Sequence, residues 1–344
     1  MGRPSVLFFA EAGAFQPCSF YRCFLPARAL QMARWRAAVT LDGVVAPDGR
    51  FCHDPADVPN VAIIRRPIAD DGLTTLDISA EVRAARAAGQ RVFVDLDDDL
   101  WNLPPTNPAS EIMTAQCLAD FAAVINASDG VICSTPGLAN SLASHLDVPT
   151  YVCPNGIDPG LYPAKVGEHS PLRIGWLGPV KWRWDDLSSI AEWLVPFLNQ
   201  RADRVEFWHL GQMPGDPHQA EDLLPGLEIP VGKIPWVPFQ CLGQSLADID
   251  VLVVPQRRGG VYEAFANARS PTSAMAAIAA GAVVWATPIS SYELLFGDAL
   301  PPDLATIVDD RDARRLYRRR QRRMLDAVNL PATAAAYGKV LLTS

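Results

Sequence analysis

Short apolar runs rich in β-branched residues alternate along this chain with longer segments of helical spacing. Runs of about four to eight apolar residues that are bounded by glycine, proline or charged residues are typical of buried strands. Their alternation with helices predicts an α/β protein with parallel sheets covered on both faces. The predicted strands fall at residues 5–10, 39–41, 61–64, 91–96, 129–135, 151–153, 172–178, 205–211 and 249–255.

The length of 344 residues is sufficient for two domains of ordinary size, each with its own core. Residues 159–169 contain proline and glycine and lack periodicity, so we place a linker at 161–171. The first domain then covers residues 1–160 and the second covers residues 172–308. Residues 309–344 form a helical C-terminal segment.

Composition places the chain among globular proteins, since 49% of its residues are hydrophobic and 20% are charged. No apolar run approaches the roughly 18 residues that a membrane-spanning helix needs. Met1-Gly2-Arg3 leads directly into a strand rather than a signal peptide, so a cytoplasmic location is expected. The seven cysteines are scattered without metal-site spacing and are expected to be reduced and mostly buried.

The segment 248–292 has the order of a strand, a loop and a helix that could bind a phosphate. Ser270-Pro271 is a strong helix start, because serine can cap free N–H groups and proline gives up a donor that would lack a partner. The first turn, at Thr272, would present N–H groups and a positive dipole to an anion, with Arg269 just ahead of it. The alternative interpretation is that any α/β protein contains such units.

Several pieces of this segment occur in a familiar order. They are Asp248-Ile249-Asp250, Pro255, Asn267-Ala268-Arg269-Ser270, Gly281-Ala282-Val283-Val284 and Ser291-Tyr292. Together they resemble the nucleotide-sugar-binding segment of GT-B glycosyltransferases of the family 4 type. The resemblance implies two Rossmann-like domains facing each other across a cleft, with the donor mainly on the second domain and the acceptor mainly on the first. It also implies that the C-terminal helices cross back toward the first domain.

In that family the loop and the helix start hold the donor diphosphate. The resemblance therefore assigns donor binding to Arg269, Ser270, Pro271 and Thr272. A glutamate in the same helix usually holds the donor ribose, and the matching position here is Ala276. This departure leaves the identity of the donor open.

Asp97, Asp98 and Asp99 follow a buried strand that already contains Asp95. Adjacent carboxylates repel one another, so this arrangement costs stability unless hydrogen bonds, a cation or an acceptor offsets the repulsion. The run Asp-Asp-Asp-Leu-Trp resembles a segment in the first half of the same glycosyltransferases, which implies that these acids orient an acceptor hydroxyl or act on its proton. The alternative is a loop that turns and caps a following helix. Carboxylates suit magnesium, but GT-B enzymes commonly work without a metal, so neither a metal nor another cofactor is expected.

A glycine turn closes the strand at residues 172–178. Gly178 would let a ligand approach the backbone, and a nearby cation could neutralise a departing diphosphate. The family carries a basic residue shortly after this turn. If the position of this basic residue is counted forward from Gly175, it matches Lys181. If it is counted back from Asp186, it matches Arg183, and both assignments stay open.

The loop after the first strand contains Gly13, a candidate donor contact, but it lacks the G-x-G-x-x-G pattern of a nicotinamide or flavin site. The next helix contains Tyr21-Arg22 followed by Pro26. In similar glycosyltransferases such a pair lies beside the first loop and faces the cleft, which makes Arg22 a candidate contact for a phosphate or the acceptor. The alternative is a surface arginine on an amphipathic helix.

The formal net charge of −8 argues against a surface devoted to nucleic acid. The segment 311–323 is strongly basic, in contrast to the chain as a whole. Its eight arginines could neutralise phosphates or lie on anionic lipid headgroups. The alternative is a solvated helix face paired with Asp309, Asp310 and Asp312. The candidate contacts to an acceptor glycan or to DNA are Arg314, Arg315, Arg318, Arg319 and Arg322.

The reaction implied by the resemblance transfers a sugar from a nucleoside-diphosphate donor to a hydroxyl acceptor, with retention of configuration. One rival is a DNA-modifying glycosyltransferase that acts on a hydroxylated base. The other rival is a non-catalytic binding protein of the same shape, which Ala276 favours.

Overall fold

Two parallel β-sheets organise the protein. The computed structural model describes residues 4–10, 16–41, 44–46, 49–52, 58–66, 78–163 and 165–343. The strands of the first domain are β1 (Ser5–Phe9), β2 (Arg36–Thr40), β3 (Val44–Val45), β4 (Phe51–Cys52), β5 (Val61–Arg65), β6 (Arg91–Leu96), β7 (Gly130–Cys133) and β8 (Thr150–Val152). Its helices are α1 (Pro17–Ser19), α2 (Leu25–Met32), α3 (Ser79–Ala87), α4 (Ala115–Ala127) and α5 (Pro136–Leu142).

The first sheet has the order β2-β1-β5-β6-β7-β8, and every described pairing in it is parallel. Alternate side chains of β1 enter two different cores, because successive residues of a strand face opposite sides. Leu7 and Phe9 pack with α3, α4 and α5, while Val6 and Phe8 pack with α2. A turn of π-helix, Phe20–Phe24, joins α1 to α2.

The second sheet has the order β11-β10-β9-β12-β13 and is also parallel. Its strands are β9 (Leu172–Leu177), β10 (Val205–Gln212), β11 (Val231–Pro235), β12 (Val251–Val254) and β13 (Val283–Ala286). The helices after Pro171 are α6 (Val180–Ser188), α7 (Ala191–Asn199), α8 (Leu242–Ala247), α9 (Glu263–Ala268), α10 (Thr272–Ala279), α11 (Ser290–Phe296), α12 (Leu304–Val308), α13 (Arg311–Met324) and α14 (Leu330–Thr343). The strand order reverses at β9, and such a switch point creates a crevice at the carboxyl ends of the strands.

The polypeptide crosses between the domains twice. The first crossing is the linker, and the second is the short segment 325–329, where Asn329 forms a bridge with Ile157. Beyond it α14 packs against α2 of the first domain, and Arg91 Nη1 donates a 2.7 Å hydrogen bond to the carbonyl of Leu341. Among the described helices, none is long and apolar enough to cross a membrane.

Candidate functional site

A cavity of about 170 Å³ opens at the switch point of the second sheet, between the ends of its strands and the first turn of α10. Aromatic and apolar side chains form most of its wall, and the polar groups cluster at the end near α10. The described lining residues are Pro17, Tyr21, Leu177, Gly178, Pro179, Arg183, Leu210, Gly211, Ile234, Pro235, Trp236, Val237, Phe239, Leu242, Ser245, Thr272, Ser273 and Ala276. Pro17 and Tyr21 belong to the first domain, so the cavity lies between the two domains.

Gly178 forms the turn that follows β9. Its φ of +145° suits glycine, and an added Cβ would lie 2.5 Å from Cδ of Arg183. His209 stabilises the turn through a hydrogen bond, with Nε2 2.8 Å from the Gly178 carbonyl oxygen. Burial lowers the pKa of His209, although this hydrogen bond opposes the effect. A neutral imidazole that donates from Nε2 therefore fixes the carbonyl, and the turn presents its backbone to the cavity.

The structure brings Arg183 to the cavity and leaves Lys181 in solvent. Arg183 interrupts the regular geometry of α6 with φ −131° and ψ 22°, which directs its side chain toward Gly178. Burial and the charge of Arg269 lower the pKa of Arg183 to about 10, so it stays protonated at neutral pH. Lys181 is exposed, with its ammonium 5.8 Å from the centre of the Trp182 ring.

Helix α10 begins one residue later than the sequence predicts. Its first helical residue is Thr272, and Pro271 occupies the N-cap position. The predicted capping by Ser270 is wrong, because no side chain caps this helix and Ser270 Oγ instead accepts a 2.9 Å hydrogen bond from Asn155 Nδ2 of the first domain. Thr272 and Ser273 line the cavity, so the uncapped first turn of the helix faces it.

Arg269 lies next to Arg183 on a shared carboxylate. A guanidinium nitrogen of each arginine is 3.7 Å from Oδ2 of Asp186, which is 8% exposed. The other oxygen of Asp186 accepts a 3.2 Å hydrogen bond from the backbone N–H of Arg257. One carboxylate thus orients two cations, of which Arg183 lines the cavity, and the three side chains together carry an excess of positive charge.

The aspartates after β6 occupy three different environments. The Asp97 side chain pairs with Arg65, and although burial opposes ionisation, the charges of Arg65 and Arg66 lower the pKa of Asp97. Burial and the neighbouring charge of Asp97 raise the pKa of Asp98. Asp99 is 1% exposed and its Oδ2 accepts a 2.9 Å hydrogen bond from Asn102. Asp99 precedes the 3₁₀ turn Leu100–Asn102, but its side chain does not cap this turn.

Asp98 faces the two arginines of the second domain. The charge of Arg269 acts on the pKa of Asp98, and the charge of Asp98 acts in turn on Arg183. Among the described residues, ligand atoms of Cys18, Asp97 and Asp98 lie within 4.8 Å of one another, and these three could hold a metal ion. Asp98 and the two arginines therefore influence one another electrostatically across the domain junction.

Arg22 is an internal residue, so the alternative of a surface arginine is wrong. It is 0% exposed, and its guanidinium forms a bidentate pair with Asp95, with distances of 2.9 and 2.7 Å. Its Nη1 also donates to the Cys153 carbonyl at 2.7 Å and to Asn155 Oδ1 at 2.9 Å. Arg22 is not among the described lining residues of the cavity. Gly13 lies outside the described residues.

The arginine-rich helix α13 lies away from the cavity. The predicted pairing with Asp309 and Asp310 is wrong, since Asp309 pairs with Arg201 and Arg204, and the Asp310 side chain caps the start of α13. Glu168 of the linker pairs instead with Arg314 and Arg318, at 2.9 Å each. Arg315 lies 3.6 Å from Asp312. Arg322 donates to the carbonyl of Ala279 at the far end of α10, and Arg319 is exposed.

Solved structures with similar folds share little sequence with this chain. Sucrose-phosphate synthase from Thermosynechococcus elongatus matches with a TM-score of 0.61 and 11% identity, over 98% of each chain. AviGT4, a glycosyltransferase involved in avilamycin A biosynthesis, matches with a TM-score of 0.59 and 14% identity, over 100% of this chain and 99% of that chain. An E. coli trehalose-6-phosphate protein bound with UDP-2-fluoro glucose matches with a TM-score of 0.53 and 13% identity, over 83% of this chain and 73% of that chain. No protein-family model and no curated protein matches the sequence.

The chain has the GT-B fold. The prediction of two Rossmann-like domains facing each other across a cleft is therefore confirmed. Sequence reasoning missed two aromatic residues that line the cavity of this GT-B chain, namely Trp236 and Phe239. Tyr21 packs edge-to-face on Phe239, with ring centroids 4.9 Å apart across the domain junction. The proline-aromatic run at residues 234–239 is the signal that could have indicated this wall.

Proposed function

We propose that this chain is a glycosyltransferase that moves a sugar from a nucleoside-diphosphate donor to a hydroxyl group. The observation that carries the proposal is the convergence, at one cavity, of the Gly178 turn, Arg183 and the uncapped start of α10, with Arg269 held beside Arg183 by Asp186. AviGT4, which shares the fold, is named as a glycosyltransferase. The family 4 assignment is part of the same proposal.

The donor diphosphate would lie between the Gly178 turn and α10. The first turn of α10 offers backbone N–H groups and the positive end of the helix dipole, which favour an anion. Arg183 and Arg269 already share Asp186, so they have charge left to offer a phosphate. Ligand pockets typically measure roughly 300–1,000 Å³, so the cavity of about 170 Å³ would hold only part of a nucleotide sugar.

Catalysis would come from stabilising the departing diphosphate. Negative charge builds on the leaving group in the transition state, and fixed donors that meet this charge accelerate the reaction more than they strengthen ground-state binding. Arg183 stays protonated because its pKa is about 10. Asp98, with its raised pKa, would orient the acceptor hydroxyl or take its proton. Retention of configuration is part of the proposal.

The acceptor is proposed to be a hydroxyl of a glycan or another small molecule. The second candidate is a DNA-modifying glycosyltransferase, which the exposed arginines of α13 favour. Arg322 of this helix contacts Ala279 at the C-terminal end of α10, whereas Thr272 at the N-terminal end of α10 lines the cavity. The intervening helix is about 12 Å long, so DNA would have to span this distance for a base to enter the cleft.

The test begins with a screen of nucleoside-diphosphate sugars for thermal stabilisation, because a ligand of the folded state raises the melting temperature. With the donor identified, release of nucleoside diphosphate measures turnover for Arg269→Ala. Loss of one such donor is expected to lower turnover by about 10²–10³-fold. The matched control is Arg204→Ala, a half-exposed arginine of the second domain that pairs with Asp309. Unchanged turnover in Arg269→Ala would refute the assigned role.

A further inference from the structure

A second large concave surface, here called the arginine groove, lies between α13 and the linker. It measures about 640 Å³. The lining residues that matter for its charge are Arg311, Arg315, Arg319, Arg322 and Arg323, whereas the side chain of Lys165, which also lines it, is only 6% exposed and is paired with Asp250. It adjoins Ile278 and Gly281, at the end of α10 that is opposite the cavity.

Contacts within the protein balance only part of this charge. Helix α13 contains eight arginines and one acid, Asp312. Glu168 at the groove is held by Arg314 and Arg318, and although burial opposes ionisation, these two arginines lower the pKa of Glu168 to about 2. Glu168 therefore stays ionised at neutral pH. Its charge is already shared among three arginines, Arg311, Arg314 and Arg318, so it cannot neutralise the whole row.

The groove arginines form a row along one side of the helix. Arg311, Arg315, Arg319 and Arg323 are spaced four residues apart, which places neighbours about 6 Å apart and spans about 18 Å in all. Arg311 is 66% exposed and Arg315 is 50% exposed. Like charges at this spacing destabilise a helix. A protein with net charge −8 that concentrates arginines here gains from an external polyanion.

We propose that the arginine groove binds the phosphodiester backbone of a nucleic acid. Guanidinium groups bind phosphate oxygens bidentately, and the row consists of arginine rather than lysine. A linear chain of phosphates can enter a concave groove, whereas a bilayer meets a flat or convex face. Helices that lie on membranes insert Trp, Phe or Leu, and none of these is among the described lining residues.

The site is separate from the proposed donor site. The helix between them is about 12 Å long, so a backbone held at Gly281 leaves the cavity at Thr272 free. Nucleic acid and nucleotide sugar would therefore bind together. The inference does not depend on the glycosyltransferase reaction or on whether the nucleic acid is the acceptor.

Fluorescence anisotropy of the full chain with labelled single-stranded and duplex DNA of about 20 nucleotides, between about 50 and 200 mM salt, tests the proposal. We expect binding that weakens with salt, with a log–log slope of about −3 to −4 for duplex DNA if four phosphates are neutralised. Arg315→Glu with Arg319→Glu is expected to weaken binding at least about tenfold and to reduce the slope by about two.

The control is a double variant that makes the same two Arg→Glu changes at positions outside the groove. Arg320→Glu lies on α13 but not in the groove, and Arg83→Glu lies on α3 of the first domain; both side chains are exposed. Thermal melting of each variant verifies folding. Absence of DNA binding at the lowest salt overturns the proposal, as does an equal loss of affinity in the control pair. Binding to phosphatidylserine vesicles without binding to DNA overturns it in favour of a membrane surface.

Discussion

Asn155 of the first domain donates a 2.9 Å hydrogen bond to Ser270, the residue two positions before α10. Asn155 also accepts from Arg22, which pairs with Asp95 in β6. A continuous series of buried polar contacts therefore connects the strand that ends in the aspartate run with the helix proposed to bind the diphosphate. Because such networks are costly when incomplete, an opening of the cleft that separates Asn155 from Ser270 would cost free energy.

Removal of Arg22 is expected to destabilise the protein strongly. Arg22→Ala leaves Asp95 as a buried charge without its cation, which typically costs about 3–5 kcal/mol. Arg315→Ala, on α13, breaks an exposed pair with Asp312 and should cost about 0–1 kcal/mol. Urea denaturation compares the two variants, and equal midpoints would contradict the assigned role of Arg22.

Arg183 and Lys181 are expected to differ in catalysis. Arg183→Ala removes the cation beside Gly178 and should lower turnover by about 10²–10³-fold. Lys181→Ala should leave turnover almost unchanged, because this side chain lies in solvent. Steady-state release of nucleoside diphosphate measures both variants. The assignment would be reversed if Lys181→Ala were the slower enzyme.

Gly178 is expected to be required for donor binding. Gly178→Ala would force a side chain into a φ of +145° and against Cδ of Arg183. Gly215→Ala is the control, because its φ is +76° but no atom lies within 4 Å of the added Cβ. We expect both variants to lose some stability, and Gly178→Ala alone to lose the thermal shift produced by the donor. A retained shift would argue against diphosphate contact at this turn.

The pH dependence of the reaction tests the aspartate pair. A base must be ionised, so activity that depends on Asp98 falls as pH drops through its raised pKa. Asp97→Asn removes a like charge that raises this pKa, so the acidic limb of the kcat/KM profile should move to lower pH. The comparison is made between wild type and Asp97→Asn. If the acidic limb of the kcat/KM profile stays at the same pH in Asp97→Asn, Asp98 is not the group whose titration produces it.

Ala276 offers a gain-of-function test. It is 1% exposed and lines the cavity, at the position where similar glycosyltransferases carry a ribose-binding glutamate. A hydrogen bond to a charged group contributes about 1.5–3 kcal/mol, so Ala276→Glu should tighten donor binding by about tenfold or more. Ala276→Leu is the matched apolar control. Calorimetry with the donor measures both, and weaker binding by the glutamate variant would contradict the proposed donor orientation.

Local patterns in the sequence were sufficient to predict most strands of the two sheets, but not β11 or β13. The apolar runs of β9 and β12 and the glycine after β9 are encoded within a few residues, so periodicity and turn chemistry reveal them. The position of Arg183 was not predictable in this way, because it depends on a distortion inside α6. Counting residues along a regular helix could not decide between Arg183 and Lys181.

Contacts between distant parts of the chain account for the other corrections. Arg22 was expected either to contact a phosphate or the acceptor or to lie on the surface, because its partner, Asp95, is 73 positions away. The arginines of α13 were expected to pair with nearby aspartates, but Glu168 is 146 positions before Arg314. Neither pairing leaves a local signal, since each depends on how the domains and the linker pack.

The second crossing at residues 325–329 limits how the cleft can change its width. With two covalent connections, the linker and this segment, the domains cannot separate freely, and any opening is a rotation about the line that joins the two connections. Such a rotation requires dihedral changes at both connections together. Stiffening the chain near Val328, far from the reacting groups, would therefore be expected to slow substrate entry and product departure alike.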